Sequence, residues 1–96
     1  MDFSPAPRSL ELQARVAEFM EEHVYPVENR YYEEAQQGER RYRTPRVLQD
    51  LKALAKSKGL WNLFLSGDHG SGLNNLDYAP VKEIMGRALW APEIFN

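Results

Sequence analysis

The sequence predicts an all-α domain of three to four helices. Three observations carry that expectation. Apolar residues recur at helical spacing in three stretches, helix start and stop residues bracket those stretches, and only one short apolar segment, Leu60–Leu65, breaks the pattern.

Residues 1–8 hold two prolines and little periodicity, which reads as an extended arm. Ser9 suits a helix N-cap, because its hydroxyl can accept a bond from an unpaired first-turn N–H. Leu12, Val16, Phe19, Met20 and Val27 follow at helical spacing, with Glu11, Arg15, Glu18, Glu21 and Glu22 between them. That pattern predicts an amphipathic helix from Ser9 to about His23. Pro26 has no N–H to donate and disfavours helical angles at Tyr25, so it kinks the helix or starts a second one reaching about Gln37. Tyr31, Tyr32 and Ala35 form the expected packing face of that second piece.

Gly38 to Arg43 reads as a polar loop. Thr44-Pro45 is a start signal, a capping hydroxyl before a first-turn proline. Val47, Leu48, Leu51, Leu54 and Ala55 make an apolar stripe, Lys56 and Lys58 suit the C-terminal end of the helix dipole, and Gly59 suits a left-handed cap. The helix is expected over Pro45–Lys58. Leu60–Leu65 is a buried strand or a buried extended loop, since periodicity does not separate the two. Ser66 to Asn75 is a loop. A third helix starts near Asn75 or Asp77. Asp77 is preferred because it leaves Pro80 in the first turn, and the helix runs to about Leu89 with Val81, Ile84, Met85 and Ala88 inward. The expected core is Leu12, Val16, Phe19, Leu48, Leu51, Leu54, Trp61, Phe64, Ile84 and Met85.

The 96-residue chain is 43% hydrophobic and 27% charged, which argues against a disordered tail, a fibre or a coiled-coil rod. Twelve basic against fourteen acidic residues leave a net charge of −2, unlike the basic balance of nucleic-acid domains. There is no cysteine, hence no disulfide, thiolate metal site or cysteine nucleophile. No apolar run approaches the ~18 residues of a membrane span, and the first residues lack a secretory pattern.

Candidate chemistry is sparse. Gly67-Asp68-His69-Gly70-Ser71-Gly72 matches neither the dinucleotide fingerprint nor a P-loop, and is better explained as a tight connection. His23 and His69 are the only histidines, and neither sits in a metal-ligand pattern. Glu21-Glu22 and Glu33-Glu34 are neighbours in sequence but point about 100° apart on a helix, so they read as solvated faces. Arg40, Arg41, Arg43 and Arg46, with Tyr42 among them, form one basic cluster that could meet phosphate. An inter-helix loop carrying charge for solubility is the plainer reading. The last residues are odd: Leu89, Trp90, Ile94 and Phe95 sit in a terminus that would ordinarily be polar. Trp90, Ile94 and Phe95 are therefore expected to be poorly covered and to form a packing or partner surface that drives self-association. If the chain instead closes its own end, a free-standing module is favoured.

Several motifs occur together in order. They are Phe19-Met20-Glu21-Glu22-His23-Val24-Tyr25-Pro26, Gly59–Leu65, Gly72–Pro80, Glu83-Ile84-Met85-Gly86-Arg87 and Trp90–Asn96. With these, residues 10–96 resemble the N-terminal helical domain of acyl-CoA dehydrogenases. The nearest subgroup is the one holding members ten and eleven of the mammalian set and many bacterial relatives. Ser66 departs from the proline common after the Leu-Phe-Leu segment. The resemblance implies an N-terminal helical domain over residues 9–96, incomplete at its C-terminal end, in a subunit several times longer. It implies FAD held by middle and C-terminal domains, and α,β-dehydrogenation of acyl-CoA thioesters in fatty-acid oxidation. It also implies a homo-oligomer, in the cytoplasm of a bacterium or the mitochondrion or peroxisome of a eukaryote. The catalytic base belongs to the C-terminal part, and this portion helps wall the acyl pocket. No residue here is then expected to be catalytic, cofactor-binding or metal-ligating, and this chain alone is expected to lack flavin and dehydrogenase activity. The alternative is a free-standing helical module that binds a partner through Trp90–Phe95.

Overall fold

A computed structural model describes residues 6–36, 45–63 and 73–96, and all regular structure among them is helical. Helix α1 spans Pro7–Phe19. It begins two residues before the expected Ser9, because Pro7 has its φ preset for a first turn and lacks the N–H that a helix start leaves unpaired. Ala6 is the cap residue. Ser9 is thus inside the helix and fully buried, and its hydroxyl does not cap. It donates to the Asp77 carbonyl at 2.6 Å and accepts from Gln13 Nε2 at 3.1 Å.

Leu12, Val16 and Phe19 are buried along one face of α1. The chain then widens into a π-turn, Met20–Val24, tightens into a 3₁₀ turn, Tyr25–Val27, and resumes as α2, Glu28–Ala35. Proline at position 26 supplies the reason. It removes one ladder bond and its ring clashes with the carbonyl four residues back, and a locally widened helix accommodates both. Pro26 therefore interrupts the regular ladder, and a second helix follows it, as expected. On α2, Tyr31 and Ala35 are half-buried, whereas Tyr32 is 43% exposed and lies outside the expected packing face.

Helix α3 covers Arg46–Ser57, one residue shorter at each end than expected. Pro45 is its extended cap residue, while Thr44 and the expected loop at 38–43 fall outside the described residues. A first-turn amide is capped from a distance: Val47 N–H donates to Glu34 Oε1 at 2.9 Å. Glu34 also pairs with Arg30 at 3.4 Å, so it is a structural carboxylate rather than part of a solvated face. The other end is a complete Schellman motif. Gly59, at φ 75°, donates to the Lys56 carbonyl, and Leu60 donates to the Ala55 carbonyl at 2.8 Å.

Asn62 also takes a left-handed angle, φ 55°, and turns the chain so that Leu63 N–H donates to the Phe95 carbonyl at 3.2 Å. The described part of the apolar segment is therefore a bend and turn tied to the closing segment, neither a strand nor an extended loop. Helix α4, Asn75–Met85, starts two residues before Asp77 because Asn74 caps it, its Oδ1 accepting from Asp77 N–H at 2.8 Å. Pro80 consequently lies inside α4, and the bond it forgoes is the one to the Leu76 carbonyl, on a residue whose side chain is 81% exposed. The helix stops at Met85, short of Leu89. A turn leads to a closing 3₁₀ segment, Ala91–Phe95.

The core joins α1, the π-turn, α3, α4 and this closing segment. Leu12, Val16, Phe19, Leu48, Leu51, Ile84 and Met85 occupy it as expected. Leu54 is only partly buried, on its margin, Trp61 is half-buried, and Phe64 lies outside the described residues. The main correction concerns the end of the chain. Trp90 is 7% exposed, and Ile94 and Phe95 are fully buried. The closing segment folds back onto α3, where Lys52 pairs with Glu93 at 3.7 Å, and onto α1, where the Phe19 and Phe95 rings meet edge to face at 5.3 Å.

Candidate functional site

Two places on the molecule gather side chains of chemical interest. The first is a half-open hollow of about 200 Å³ between the C-terminal half of α1 and the end of α3. Its floor is Phe19 and Leu60, and its rim carries Arg15, Glu18, Glu22, His23 and Lys58. The π-turn presents Glu22 and His23 to it. The His23 ring rests on Phe19, centroids 5.0 Å apart, and its Nε2 lies 3.6 Å from Glu22 Oε2. On the opposite rim the Arg15 guanidinium donates to the Lys58 carbonyl, tying α1 to the end of α3. The rim charges nearly cancel and its guanidinium is already engaged. The arrangement orders two helices and offers no acid–base pair aimed at a common point.

The second place lies around Trp90. Its indole stacks on Tyr31 with centroids 4.2 Å apart and planes 6° from parallel, and Tyr31 meets Tyr32 edge to face at 5.4 Å. Burial raises the Tyr31 pKa above its ordinary value, and the nearby Glu93 and Tyr32 push the same way. Trp90 Nε1 is sealed from solvent without a hydrogen-bond partner. Leu89, beside it, is 90% exposed. The surface expected here has other members. Trp90, Ile94 and Phe95 are brought together as core, and the exposed apolar side chain is Leu89.

The other candidates are dispersed. His23 is half-buried, and His69 and the glycine loop 67–72 lie outside the described residues, as do Arg40, Arg41, Tyr42 and Arg43. Arg46 is exposed on the first turn of α3. Glu21 and Glu33 are exposed. Among the described residues no group of three or more His, Asp or Glu converges as metal ligands, and no helix is long and apolar enough to cross a membrane. Glu34, as a remote cap, is a role that sequence spacing did not reveal, since helix and cap belong to different elements.

No family model matches the chain. Individual proteins do. Acyl-CoA dehydrogenase family member 11 of Gallus gallus is 42% identical over 97 residues, 98% of this chain but 12% of that protein. FadE2 of Mycobacterium tuberculosis, assigned as an acyl-CoA dehydrogenase, is 41% identical over 99 residues, 100% of this chain and 24% of its own length. A solved Mycobacterium abscessus structure assigned to the acyl-CoA dehydrogenases superimposes with a TM-score of 0.79 at 42% identity. That alignment covers 96% of this chain and 25% of that one. The chain therefore spans between about an eighth and a quarter of the length of these relatives.

Proposed function

The chain belongs to the acyl-CoA dehydrogenase family, of whose members it matches one portion, and we propose that it is the N-terminal helical domain of such a subunit. The observation that carries this reading is the agreement of sequence and fold over almost the whole chain, 42% identity with a TM-score of 0.79. On this reading residues 9–96 pack against a middle and a C-terminal domain, help wall the acyl pocket, and share in a homo-oligomer. The complete protein dehydrogenates acyl-CoA thioesters at the α,β bond. It works in the bacterial cytoplasm or in a eukaryotic mitochondrion or peroxisome, a range in keeping with relatives from both groups.

FAD is the cofactor the family implies, and the described residues do not fit it. The hollow beside Phe19 is smaller than the roughly 300–1,000 Å³ of ordinary small-ligand pockets, and its rim charges nearly cancel, so it offers no net positive field to a pyrophosphate. The reading therefore assigns flavin binding and the catalytic base to the other domains, and assigns no chemical step to this chain. What its residues contribute is a rigid apolar wall: α1 and α4 locked through Ser9 and Asp77, and the closing segment locked through Phe95 and Leu63.

The test replaces the aligned quarter of the Mycobacterium abscessus enzyme with this chain. The chimera is expected to unfold as one unit and to retain flavin, with acyl-CoA oxidation above background. A chimera in which this chain and the remainder unfold independently and flavin is lost contradicts the reading. So does one flavin per chain on the purified 96-residue protein.

A further inference from the structure

Among the described residues, Trp90, Tyr31 and Tyr32 form a line of touching aromatic rings from core to surface. Trp90 is 7% exposed, Tyr31 is half-buried and Tyr32 is 43% exposed. The indole and the Tyr31 ring lie face to face, 6° from parallel with centroids 4.2 Å apart, and Tyr31 meets Tyr32 edge to face at 5.4 Å. Such contacts stabilise any aromatic pair, and Phe19 and Phe95 make one at 5.3 Å in the same core. Phenylalanine rings, however, do not readily give up an electron. Indole and phenol do, because a nitrogen or oxygen lone pair raises the energy of the ring electrons. Rings in van der Waals contact also exchange an electron far faster than rings separated by solvent.

Proton chemistry gives the line a direction. An oxidised indole becomes a neutral radical, and a weaker oxidant, once its N–H hands the proton to an acceptor. Trp90 Nε1 has neither an acceptor nor solvent beside it, so its radical stays a cation, the more strongly oxidising form. An oxidised phenol sheds its proton at once where a base is near. Tyr31 is partly open to water and feels the charge of the exposed Glu93 carboxylate. We propose that Trp90, Tyr31 and Tyr32 are a path that carries one-electron oxidising equivalents from the core to the surface. An oxygen-centred radical takes one electron from Trp90, becoming the corresponding anion and leaving the indole radical cation. Tyr31 returns an electron to Trp90, releases its phenolic proton to water near Glu93 and becomes a neutral tyrosyl radical. Tyr32 next gives an electron to Tyr31 and a proton to water, while Tyr31 regains a proton, so the radical now sits at the surface. There a soluble thiol donates a hydrogen atom, restoring Tyr32 and leaving a thiyl radical. The core so relieved contains Met20 and Met85, both fully buried, and their conversion to sulfoxide would place polar groups inside it.

The test uses the 96-residue chain carrying Trp61→Phe, which leaves Trp90 as its one tryptophan. A laser pulse at a wavelength that tyrosine does not absorb ejects an electron from Trp90, dissolved oxygen takes it up as superoxide, and transient absorption follows the protein radicals. The indole radical is expected to decay as a tyrosyl radical grows, with a first-order rate independent of protein concentration. Tyr31→Phe preserves the stacked ring and removes the phenol. With helical circular dichroism retained, it loses this rise, and its indole radical persists. Tyr32→Phe keeps the rise and slows removal of the tyrosyl radical by added glutathione. Tyr78→Phe, at another half-buried tyrosine, changes neither. Unfolding the parent in urea keeps every residue but separates positions 31 and 90, so the fast rise is lost without any substitution. A rise that survives Tyr31→Phe or unfolding overturns the path, as does an indole radical whose decay depends on protein concentration. A glutathione rate unchanged by Tyr32→Phe overturns the exit at Tyr32.

Discussion

Tyr31 reports on its surroundings through its proton. Its pKa is raised, first by burial and then by Glu93 and Tyr32, and that of Tyr78 is raised by burial against an opposing bond with Asn96. A tyrosine is neutral below its pKa, so a raised value in the folded chain means that folding favours the protonated form. That contribution is present in full below the ordinary value near ~10 and is lost as pH rises through the folded value. The urea midpoint is therefore expected to fall as pH rises above about 10, and Tyr31→Phe should flatten part of the fall. A Tyr31→Phe protein that loses stability as steeply as the parent would show that this phenol does not titrate with folding. Trp90 carries the opposite kind of burden, since an unpaired buried donor costs about 1–3 kcal/mol. Its stack on Tyr31 and its place in the core offset that cost.

Among the elements, α3 illustrates how a helix is held at both ends by different means. Glu34 caps its start from α2, and the Gly59 turn closes its finish. A Cβ built on Gly59 meets nothing within 4 Å, so crowding plays no part. The positive φ alone sets the cost of Gly59→Ala, about 1–2 kcal/mol. Gly59→Asn should cost less, because asparagine tolerates left-handed angles, and equal losses for the two would refute a purely conformational account. Inside α3, Leu51 is 6% exposed and Leu54 sits on the core margin. Leu51→Ala should cost about 2–5 kcal/mol by chemical denaturation, and Leu54→Ala should cost less. A loss below about 0.5 kcal/mol at Leu51 lies far outside that range and would mean that its face of the helix is not packed.

At the scale of the whole molecule the closing segment matters most. An apolar terminus was expected to stay open and to drive self-association, yet Ile94 and Phe95 are fully buried and Phe95 accepts the Leu63 N–H. In a Trp61→Phe background, a neutral quencher such as acrylamide should therefore barely reach Trp90. Quenching close to that of free tryptophan would mean that the end is open after all. A closed end would by itself have suited a free-standing module. The homology to dehydrogenases along the whole chain outweighs that hint, since a portion of a larger subunit can complete its own core and still present Leu89 outward.

Helix identity was legible from local chemistry. The periodic stripes of α1 and α3, the left-handed glycine at 59 and the inward residues Val81, Ile84, Met85 and Ala88 all follow from spacing and backbone angle, which act within a few residues. The family, too, was legible, through ordered motifs between Phe19 and Asn96. Several starts were not, because nearby residues competed for one role. Pro7 outranked Ser9, and Asn74 outranked the logic that kept Pro80 in a first turn. Ser9, Glu34 and Phe95 show what only the tertiary structure decided. Their partners, Asp77, Val47 and Leu63, lie 68, 13 and 32 residues away. Which hydroxyl is buried, which carboxylate caps a distant helix and which apolar end folds inward depend on how the helices pack. Spacing along the chain carries no record of that packing.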